Sequence, residues 1–536
     1  MKAVGIAALF GIAAVASAAV DASSPAPATS AVPAASATAA APAASGSARP
    51  SDVLTMAKAK LDADATRTIG TCDPNAPKDK ARFTLAHMND LQARYSERIA
   101  GKSRYAYAAG YLKLLKTAQP TLVLDAGDDY EKGSLAELRS NGETTRQMVQ
   151  AMPFDVRTIG NHDFGYGETV VLRDVRLSGT PVLGANLRHP NMTPAKQPFR
   201  PYARFDIGCI KVGVIGLVTQ NYGADDQPNG TPFDDVIIQD RSYATILDRE
   251  AKAHRSEVDV LIALTHLGYG DDLALARKVG GNVDFIVGGH SEDTLKEPGT
   301  VLHPPAKTKT WILQAGHFAE KIGHGEVVVN LKEPRSVAFE KYRMVDVDEK
   351  LPSTPLESVD ALAKKLEDAV VPELHKPIGK STNGVTRGAQ MADLVFKAAK
   401  ETWNLDALII GKDLFWAGVP KGDVTLQKLY DTVLVQKQPT GTNGFSSIWV
   451  QEIAGDELAT LFRSFQPQGK YQWSGLQKFD PTKKYKVGFD KRSATFPKAL
   501  FGLASKAVHA TFQAELIDVL EPWARNQTAK RLTIDL

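Results

Sequence analysis

The sequence is poor in cysteine, has no strong excess of either charge, and lacks any apolar run of the roughly 20 residues that a membrane-spanning helix requires. Its 64 basic and 61 acidic residues give a formal net charge of +3, so the charge balance indicates neither nucleic acid nor anionic lipid as a partner. It contains no internal repeat and no heptad run long enough for a coiled coil. What remains is ordinary globular composition, 43% hydrophobic and 23% charged over 536 residues, which is enough for about two to four domains.

The N-terminal segment has the organisation of an export signal. Lys2 supplies the positive start, residues 4–15 are apolar, and Ala16-Ser17-Ala18 offers a small-residue cleavage site. We therefore predict a signal peptide over residues 1–19 and a periplasmic or secreted protein. Residues 20–50 are almost entirely Ala, Pro, Ser, Thr and Val, a composition that predicts a disordered spacer.

The two cysteines, Cys72 and Cys209, are predicted to form a disulfide, because an exported protein folds in an oxidising compartment. Cys72 precedes the first predicted strand, and Cys209 stands at the start of a later one. The bond would therefore tie an N-terminal arm to the sheet. Two buried or free thiols are the alternative.

From residue 82 onward, short apolar runs alternate with helical stretches, and each run ends in polar residues. The main runs cover residues 83–87, 121–124, 155–159, 258–264 and 283–287. Such runs predict the strands of a layered α/β domain. Further strands are predicted at residues 182–186, 211–218, 311–314 and 326–329.

A second, smaller domain follows a change in composition after Val347. Apolar residues recur at helical spacing between Leu356 and Val370, which predicts an amphipathic linker helix over residues 355–374. Residues 376–520 then mix helix with short strands, a pattern that predicts an α+β domain.

The polar residues at the strand ends are oxygen and imidazole donors. They are Asp90, Gln92, Asp128, Asn161, His162, His266, His290 and Glu292. Because chemistry in α/β sheets collects at the carboxyl ends of strands, we expect these side chains to lie together. A cluster of this kind can hold two divalent cations and support in-line attack on phosphorus.

These residues stand in motifs that resemble those of a known family. The motifs are Asn89-Asp90-x-Gln92, Gly127-Asp128, Gly160-Asn161-His162-Asp163, Thr265-His266 and Gly289-His290-x-Glu292. Their order resembles the calcineurin-like metallophosphoesterases, and within them the two-domain bacterial 5′-nucleotidase and UDP-sugar hydrolase family. The resemblance implies a layered αββα sandwich over residues 78–348 and a 5′-nucleotidase-like substrate-binding domain over residues 376–520.

The resemblance also implies roles for individual residues. Asp128 would bridge two metal ions. The other ligands would be Asp90, Gln92 and Glu292 at one ion and Asn161, His266 and His290 at the second. His162 would stabilise the phosphoryl transition state or protonate the leaving oxygen. The predicted catalytic set is completed by Asp163 beside it and by Arg94, which resembles a family arginine near the phosphate.

The chain departs from the family pattern at one metal site. The family usually has His at the place of Gln92 and His, Gln or Asn at the place of Glu292, so this site becomes all-oxygen here. By ligand hardness we predict Mn²⁺ or Mg²⁺ at the oxygen site and Zn²⁺, Mn²⁺ or Fe at the imidazole site.

A further departure lies behind His162. The family often has an aspartate that orients this imidazole, at the place that Gly165 occupies here. Asp129 is the predicted substitute, because the loop 129–134 is one residue longer than the usual pattern. Without an orienting acid the rate would fall, since positioned acid–base help is typically worth ~10²–10⁴-fold.

The resemblance weakens in the C-terminal domain. Where the family grips its substrate with an Asn-Gly-Gly-x-x-Arg element, this chain has residues 411–416 and no arginine at the expected place. The candidate substrate-binding residues are Asn186, Tyr471, Trp473 and Phe501, with Phe496 as an alternative to Phe501. The other interpretation is that the aromatic residues pack a core and that Asn186 caps a turn.

The N-terminal signal predicts export, and the resemblance implies a two-metal phosphoesterase that hydrolyses nucleoside 5′-phosphates or UDP-sugars by attack of a metal-bridging hydroxide, with two domains that rotate about the linker. Three alternatives remain open. The same core could act on a non-nucleotide or cyclic-nucleotide phosphoester. The protein could be a catalytically weak periplasmic binding protein, or a sulfur-oxidation hydrolase that resembles this family.

Overall fold

The computed structural model describes residues 66–72, 77, 79–189, 191–193, 196–219, 238–239, 241–304, 308–332, 335–433, 446–465 and 469–536. The predicted signal peptide, residues 1–19, and the predicted spacer, residues 20–50, lie outside them. Within these ranges, no helix has both the length and the apolar composition needed to cross a bilayer.

The strands and helices of the described residues are numbered in chain order. The strands are β1 Thr66–Ile69, β2 Lys80–Met88, β3 Arg98–Ile99, β4 Lys102–Ser103, β5 Thr121–Asp125, β6 Val156–Thr158, β7 Val182–Leu183, β8 Leu187–Arg188, β9 Tyr202–Ile207, β10 Ile210–Val218, β11 Ile238–Gln239, β12 Val260–His266, β13 Phe285–Val287, β14 Gly299–His303, β15 Thr308–Leu313, β16 Lys321–Asn330, β17 Ser336–Asp346, β18 Pro377–Ser381, β19 Ala407–Gly411, β20 Gly422–Thr425, β21 Ser447–Ala454, β22 Tyr471–Gly475, β23 Lys484–Asp490 and β24 Thr511–Glu515. The α-helices are α1 Arg104–Ala118, α2 Leu135–Ser140, α3 Glu143–Ala151, α4 Glu168–Leu177, α5 Tyr243–His254, α6 Tyr269–Val279, α7 Glu357–Val370, α8 Ala389–Trp403, α9 Leu426–Tyr430, α10 Gly455–Ser464, α11 Lys491–Thr495, α12 Lys498–Phe501 and α13 Leu516–Ala529.

Two sheets pack face to face in the first half of the fold. One has the strand order β17-β16-β2-β5-β6-β7, and the other β1-β9-β10-β12-β13-β15-β14. Buried apolar side chains of both sheets, among them Leu85, Leu124, Val214 and Ile262, form one shared core. Helix α1 packs on the other face of the first sheet, and α5 and α6 pack on the other face of the second. The predicted αββα layering is therefore confirmed.

The central strands of each sheet run parallel, so their carboxyl ends meet at one edge. Strands β2, β5 and β6 are parallel neighbours in the first sheet, as are β10, β12 and β13 in the second. Strands β5 and β12 are buried at every position. This burial explains their continuous apolar sequence, because both faces of each strand are covered.

The second half of the fold follows α7, which lies within the interval 355–374. Its sheet has the order β22-β19-β23-β21-β24, with α8 and α13 packed against it. One helix of the first half joins this core, since Leu135, Ala136 and Leu138 of α2 are buried among side chains of α8 and α13. The loop between β5 and α2 is consequently anchored in both halves.

Cys72 and Cys209 form a disulfide, as predicted, with their Cα atoms 4.5 Å apart. Cys72 follows β1, the edge strand that pairs in parallel with β9. Cys209 lies in the turn between β9 and β10. The bond therefore fixes the edge strand beside this hairpin.

We expect the double variant Cys72→Ser/Cys209→Ser to be less stable than the parent by about 2–4 kcal/mol, because a disulfide that closes a long loop restricts the unfolded chain. The two cysteines are separated by 137 residues. Chemical denaturation of both proteins measures the difference. A reductant should destabilise the parent and leave the variant unchanged, whereas equal free energies of unfolding would contradict this expectation.

Candidate metal centre and active site

Side chains from both sheets meet beyond the carboxyl ends of the parallel strands. His290 N, after β13, donates to Asp90 Oδ2, after β2, at 3.0 Å. Gln92 Nε2 donates to Glu292 Oε1 at 2.8 Å. These two hydrogen bonds connect the first sheet to the second.

The loops after β5 and β6 and the end of β12 complete the cluster. His162 N donates to Asp128 Oδ1 at 2.7 Å, and His266 Nε2 lies 3.1 Å from Asp128 Oδ2. His290 Nδ1 lies 2.8 Å from Asn161 Oδ1. The structure thus gathers all the strand-end donors that the sequence singles out.

Several of these residues have left-handed backbone conformations. Asp90, Gln92, Asp128, His290 and Glu292 have φ angles between 46° and 78°. Such conformations cost non-glycine residues roughly 1–3 kcal/mol each and persist only where the surrounding structure imposes them. Their concentration at these strand ends supports a functional site.

Three ligand atoms, one each from Asp128, His266 and His290, lie within 4.8 Å of one another, which is suitable spacing for a metal ion. In the part of the chain that the structure describes, Asp90 Oδ1 and Gln92 Oε1 are buried without a hydrogen-bond partner. Buried polar atoms are nearly always paired, so these atoms indicate a missing partner.

Gly160 keeps space open beside two of these donors. A Cβ atom at this position would overlap Asp128 Oδ1 and would lie 2.5 Å from His266 Nε2. The space and the oxygen and imidazole donors around it fit a divalent cation.

Burial and the neighbouring charges strongly shift the pKa values of the residues in the cluster. Burial raises the pKa of Asp90 to about 7, and the Asp128 carboxylate acts in the same direction. Burial would also raise the pKa of Asp128, but His266 and His162 lower it below its ordinary value. Burial opposes the protonated form of His266, yet the Asp128 carboxylate raises its pKa to about 10. A divalent cation would favour the anionic form of these carboxylates.

A contact on the far side of the His266 imidazole determines which of its nitrogens faces the cluster. His266 Nδ1 lies 2.6 Å from the Ala126 carbonyl oxygen, which can only accept, so Nδ1 carries the proton of the neutral ring and Nε2 is the nitrogen that would bind a cation. His290 Nδ1 lies 2.8 Å from Asn161 Oδ1, so atoms of two predicted ligands face each other within the cluster.

The two departures from the family pattern, Gln92 and Glu292, contact each other directly. Glu292 Oε2 lies 3.1 Å from His317 Nδ1, and Glu292 Oε1 lies 3.7 Å from Lys132 Nζ. Burial would raise the pKa of Glu292, but His317 and Lys132 lower it to about 2. Glu292 is therefore an anion whose charge is already compensated by its neighbours.

The acid that contacts His162 is Glu131, and the prediction of Asp129 is wrong. Glu131 Oε2 lies 2.5 Å from His162 Nδ1. Asp129 instead accepts from Arg157, whose buried guanidinium also donates to Asp125 at 3.0 Å. Burial lowers the pKa of His162 to about 3, and the charge of Lys132 adds to this effect.

The side chain of Asp163, which was predicted to be catalytic, accepts hydrogen bonds from backbone N–H groups of the site. Its carboxylate accepts from the N–H groups of Gly160 at 2.5 Å, Asp128 at 2.9 Å and Asp129 at 3.2 Å. It thereby ties the loop after β5 to the loop after β6. Asp163 is therefore a positioning residue, because both of its carboxylate oxygens accept hydrogen bonds from these backbone amides.

Arg94 lies at the junction of the two halves. Its Nη1 is 3.4 Å from Asp431 Oδ1, and its guanidinium carbon is 4.1 Å from the centroid of the Phe318 ring. Trp416, from the segment 411–416, packs on Phe318 with 5.1 Å between ring centroids. Lys132 Nζ lies 5.3 Å from the Trp416 ring. Two cations and two aromatic rings thus border the cluster.

Three of the predicted substrate-binding residues serve structural roles. Asn186 Nδ2 donates to Val218 O at 2.8 Å, and Asn186 Oδ1 accepts from Val218 N at 2.9 Å. Trp473 and Phe501 are only 8% and 1% exposed and pack with other aromatic side chains in the core of the second half. These three predictions are wrong, because the Asn186 amide is bonded to the Val218 backbone and the rings of Trp473 and Phe501 are buried in a core. Tyr471 is half-buried, with its ring centroid 5.8 Å from the Arg492 guanidinium carbon, and its role stays a prediction.

Comparison with known sequences agrees with this geometry. The family described as calcineurin-like phosphoesterase matches residues 83–291. The chain is 25% identical over 432 residues to the trifunctional nucleotide phosphoesterase protein YfkN of Bacillus subtilis, covering 72% of this chain and 28% of that protein. It is 28% identical over 294 residues to protein UshA of Yersinia enterocolitica, covering 49% of this chain and 52% of that protein. The matched region spans about half or less of these curated relatives.

Solved structures share the fold. The 5′-nucleotidase precursor of Thermus thermophilus superposes with a TM-score of 0.61 at 19% identity, covering 83% of this chain and 96% of that one. The sulfate thiohydrolase SoxB of the same organism superposes with a TM-score of 0.57 at 16% identity, covering 85% and 95%. At these identities the likeness shows the fold alone, and proteins named for different reactions share it.

Proposed function

We propose that this chain, which carries a calcineurin-like phosphoesterase domain in residues 83–291, is a dinuclear-metal phosphoesterase that releases phosphate from nucleoside 5′-phosphates. The observation that carries the proposal is the convergence of carboxylate and imidazole donors from separate strand ends, with buried Asp90 and Gln92 oxygen atoms that have no hydrogen-bond partner among the described residues. The names of curated relatives support phosphoric ester hydrolysis, since they include a nucleotide phosphoesterase, a 5′-nucleotidase and apyrases.

Two sets of side chains would hold the metal ions. One set is Asp128, Asn161, His266 and His290, and the other is Asp90, Gln92, Asp128 and Glu292. Bound divalent cations lower the pKa of a water molecule and neutralise charge on phosphoryl oxygens. We propose Mn²⁺, which accepts both donor sets. The second set should bind more weakly, because Lys132 and His317 already compensate Glu292.

The remaining residues would bind and orient the phosphoester. Lys132 and Arg94 place positive charge beside the cluster, which attracts a phosphate dianion. His162 Nε2 lies 4.0 Å from Asp128 Oδ2 and can hold a proton for the leaving oxygen, because an adjacent dianion raises the pKa of an imidazole. Trp416 and Phe318 offer an aromatic wall on which a base can stack, a contact worth ~1–3 kcal/mol.

We further propose that the protein is exported and that its domains divide at residues 78–348 and 376–520. The disulfide between Cys72 and Cys209 supports export, because disulfides persist in oxidising compartments. The separate sheet of the second half supports the division.

A non-nucleotide or cyclic-nucleotide phosphoester is the second candidate substrate. It is favoured by the burial of Trp473 and Phe501, which removes two of the aromatic residues predicted to hold a base. In that case Lys132 and Arg94 would select for the phosphate alone.

The proposal is tested by product formation from AMP, UDP-glucose, a cyclic nucleotide and glycerol 3-phosphate, each with Mn²⁺, Mg²⁺ or Zn²⁺. Glycerol 3-phosphate matches the alkyl leaving group of AMP and lacks a base. We expect the highest kcat/KM for AMP with Mn²⁺. A higher value for glycerol 3-phosphate or for the cyclic nucleotide would favour the second candidate. Metal binding without hydrolysis of any substrate would overturn the proposal and indicate a binding protein.

A further inference from the structure

We infer that Glu131 is the positioning residue of His162. Glu131 extends from the loop after β5, and its carboxyl group occupies the space that a side chain at position 165 would fill. The inference rests on the proposed function, because it assigns a partner to the residue proposed to protonate the leaving group. It concerns Nδ1 at the back of the imidazole, and no metal contact is part of it.

The contact between the two side chains is short and enclosed. Glu131 Oε2 lies 2.5 Å from His162 Nδ1, and the two residues are 1% and 5% exposed. With Nδ1 held against the Glu131 carboxyl group, the ring places Nε2 on the side of Asp128, 4.0 Å from its Oδ2. Glu131 therefore determines both the orientation of the ring and the nitrogen that faces the cluster.

The surroundings of position 165 explain why the acid comes from another loop. Gly165 has φ −54° and ψ −26°, a right-handed helical conformation that any residue can adopt. A Cβ atom there would overlap the Glu131 carboxylate. Glycine is thus required by space and not by backbone conformation, because Glu131 fills the volume into which an acidic side chain at 165 would extend.

The loop that carries Glu131 is held in an unfavourable conformation. Glu131 and Lys132 have φ angles of 68° and 71°, which cost roughly 1–3 kcal/mol each. Contacts on both sides impose this conformation. Glu131 N donates to Glu137 Oε1 at 2.6 Å, and Gly133 O accepts from Gln427 Nε2 of the second half at 3.1 Å. A strained segment held so firmly supports a role in the site.

Leaving groups of different acidity test the inference in the Mn²⁺-loaded full chain. Glu131→Ala should lower kcat for AMP by ~10²-fold, because its alkoxide leaving group needs a proton. The same variant should lose much less activity on p-nitrophenyl phosphate, whose leaving group needs none. Glu131→Gln should keep more activity than Glu131→Ala, since an amide oxygen still accepts from Nδ1. The exposed Glu340→Ala in β17 is the control and should match the parent.

A reciprocal exchange and a readout independent of activity extend the test. Gly165→Asp alone should impair the enzyme because its side chain meets Glu131. The pair Glu131→Ala/Gly165→Asp should recover part of the loss on AMP. In the metal-free protein, proton NMR should show a downfield His162 Nδ1–H resonance that disappears in Glu131→Ala.

The outcomes separate the inference from the proposed function. Equal losses on AMP and p-nitrophenyl phosphate, no recovery in the double variant, or an unchanged Nδ1–H resonance in Glu131→Ala would each count against the inference and leave the proposed function standing. A parent chain that hydrolyses no phosphoester would refute the proposed function. In that case, the loss or persistence of the His162 Nδ1–H resonance in Glu131→Ala would alone test whether Glu131 and His162 are hydrogen-bonded.

Discussion

Asp128→Asn should reduce phosphate release from AMP by more than ~100-fold and lower the amount of metal that the chain retains. Asp128 lies at the centre of the cluster, 2.7 Å from His162 N and 3.1 Å from His266 Nε2. Removing groups that merely support metal ligands already costs ~10–100-fold, so the loss of Asp128, the ligand proposed to be shared by both ions, should cost more. The substitution preserves the size of the side chain and removes its charge. Metal analysis and phosphate release measure both effects.

Asp271→Asn is the matched control, because this exposed carboxylate lies on α6 in the same half of the fold. The metal-free forms of both variants should unfold at temperatures close to that of the parent. An Asp128→Asn variant with parental metal content and turnover would contradict the assignment of Asp128 as a bridging ligand.

His162→Ala should lower kcat for AMP by ~10²–10⁴-fold with little change in metal content, because the imidazole is proposed to act on the reacting oxygens and does not belong to the proposed ligand sets. An interaction made mainly in the transition state lowers kcat and kcat/KM together. Steady-state kinetics with AMP separates the two parameters.

The exposed residue His509 in the second half supplies the control variant, His509→Ala, which should behave like the parent. If His162→Ala kept parental kcat, the imidazole would have no part in the chemistry. If it lost its metal together with its activity, His162 would belong to the metal centre instead.

The fold was predictable from sequence where a strand is covered on both faces. Strand β12 is buried at all seven positions, and its apolar run ends at the candidate ligand His266. Strand β1 was not predicted, since it is short, polar and alternately exposed. Its place beside β9 depends on tertiary pairing and on the disulfide, which local sequence preference does not encode.

The candidate site was predictable for a geometric reason. Parallel strands bring their carboxyl ends to one edge of the sheet regardless of loop conformation, so metal-ligand side chains directly after these strands lie close together. Glu131 was missed because its position depends on a left-handed loop conformation, which loop length alone does not reveal. The structure reveals that the Glu131 carboxyl group fills the space beside Gly165, which the sequence does not indicate.

Aromatic residues gave the least reliable predictions, because stacking on a ligand and packing in a core require the same side chains. Trp473 and Phe501 lie in the core, whereas the unpredicted Trp416 lies at the rim of the cluster. The one signal for Trp416 was its place in the segment 411–416, where the chain departs from the family pattern.

Rotation of the two halves about the linker stays a prediction, and the structure shows what it would disturb. Leu135 of α2 is buried with side chains of α8 and α13, and its backbone N donates to Gln427 Oε1 at 3.3 Å. The loop that carries Glu131 therefore contacts both halves. A rotation that moved this loop would change the position of the acid behind His162.

Anomalous X-ray diffraction at the manganese absorption edge, from crystals loaded with Mn²⁺, tests most directly whether distant strand ends form a paired-metal centre. We predict two peaks about 2.0–2.4 Å from side-chain atoms of the cluster, both next to Asp128, with the lower occupancy beside Glu292. The absence of any peak among Asp90, Asp128, His266 and His290, with manganese bound elsewhere or not at all, would contradict the account.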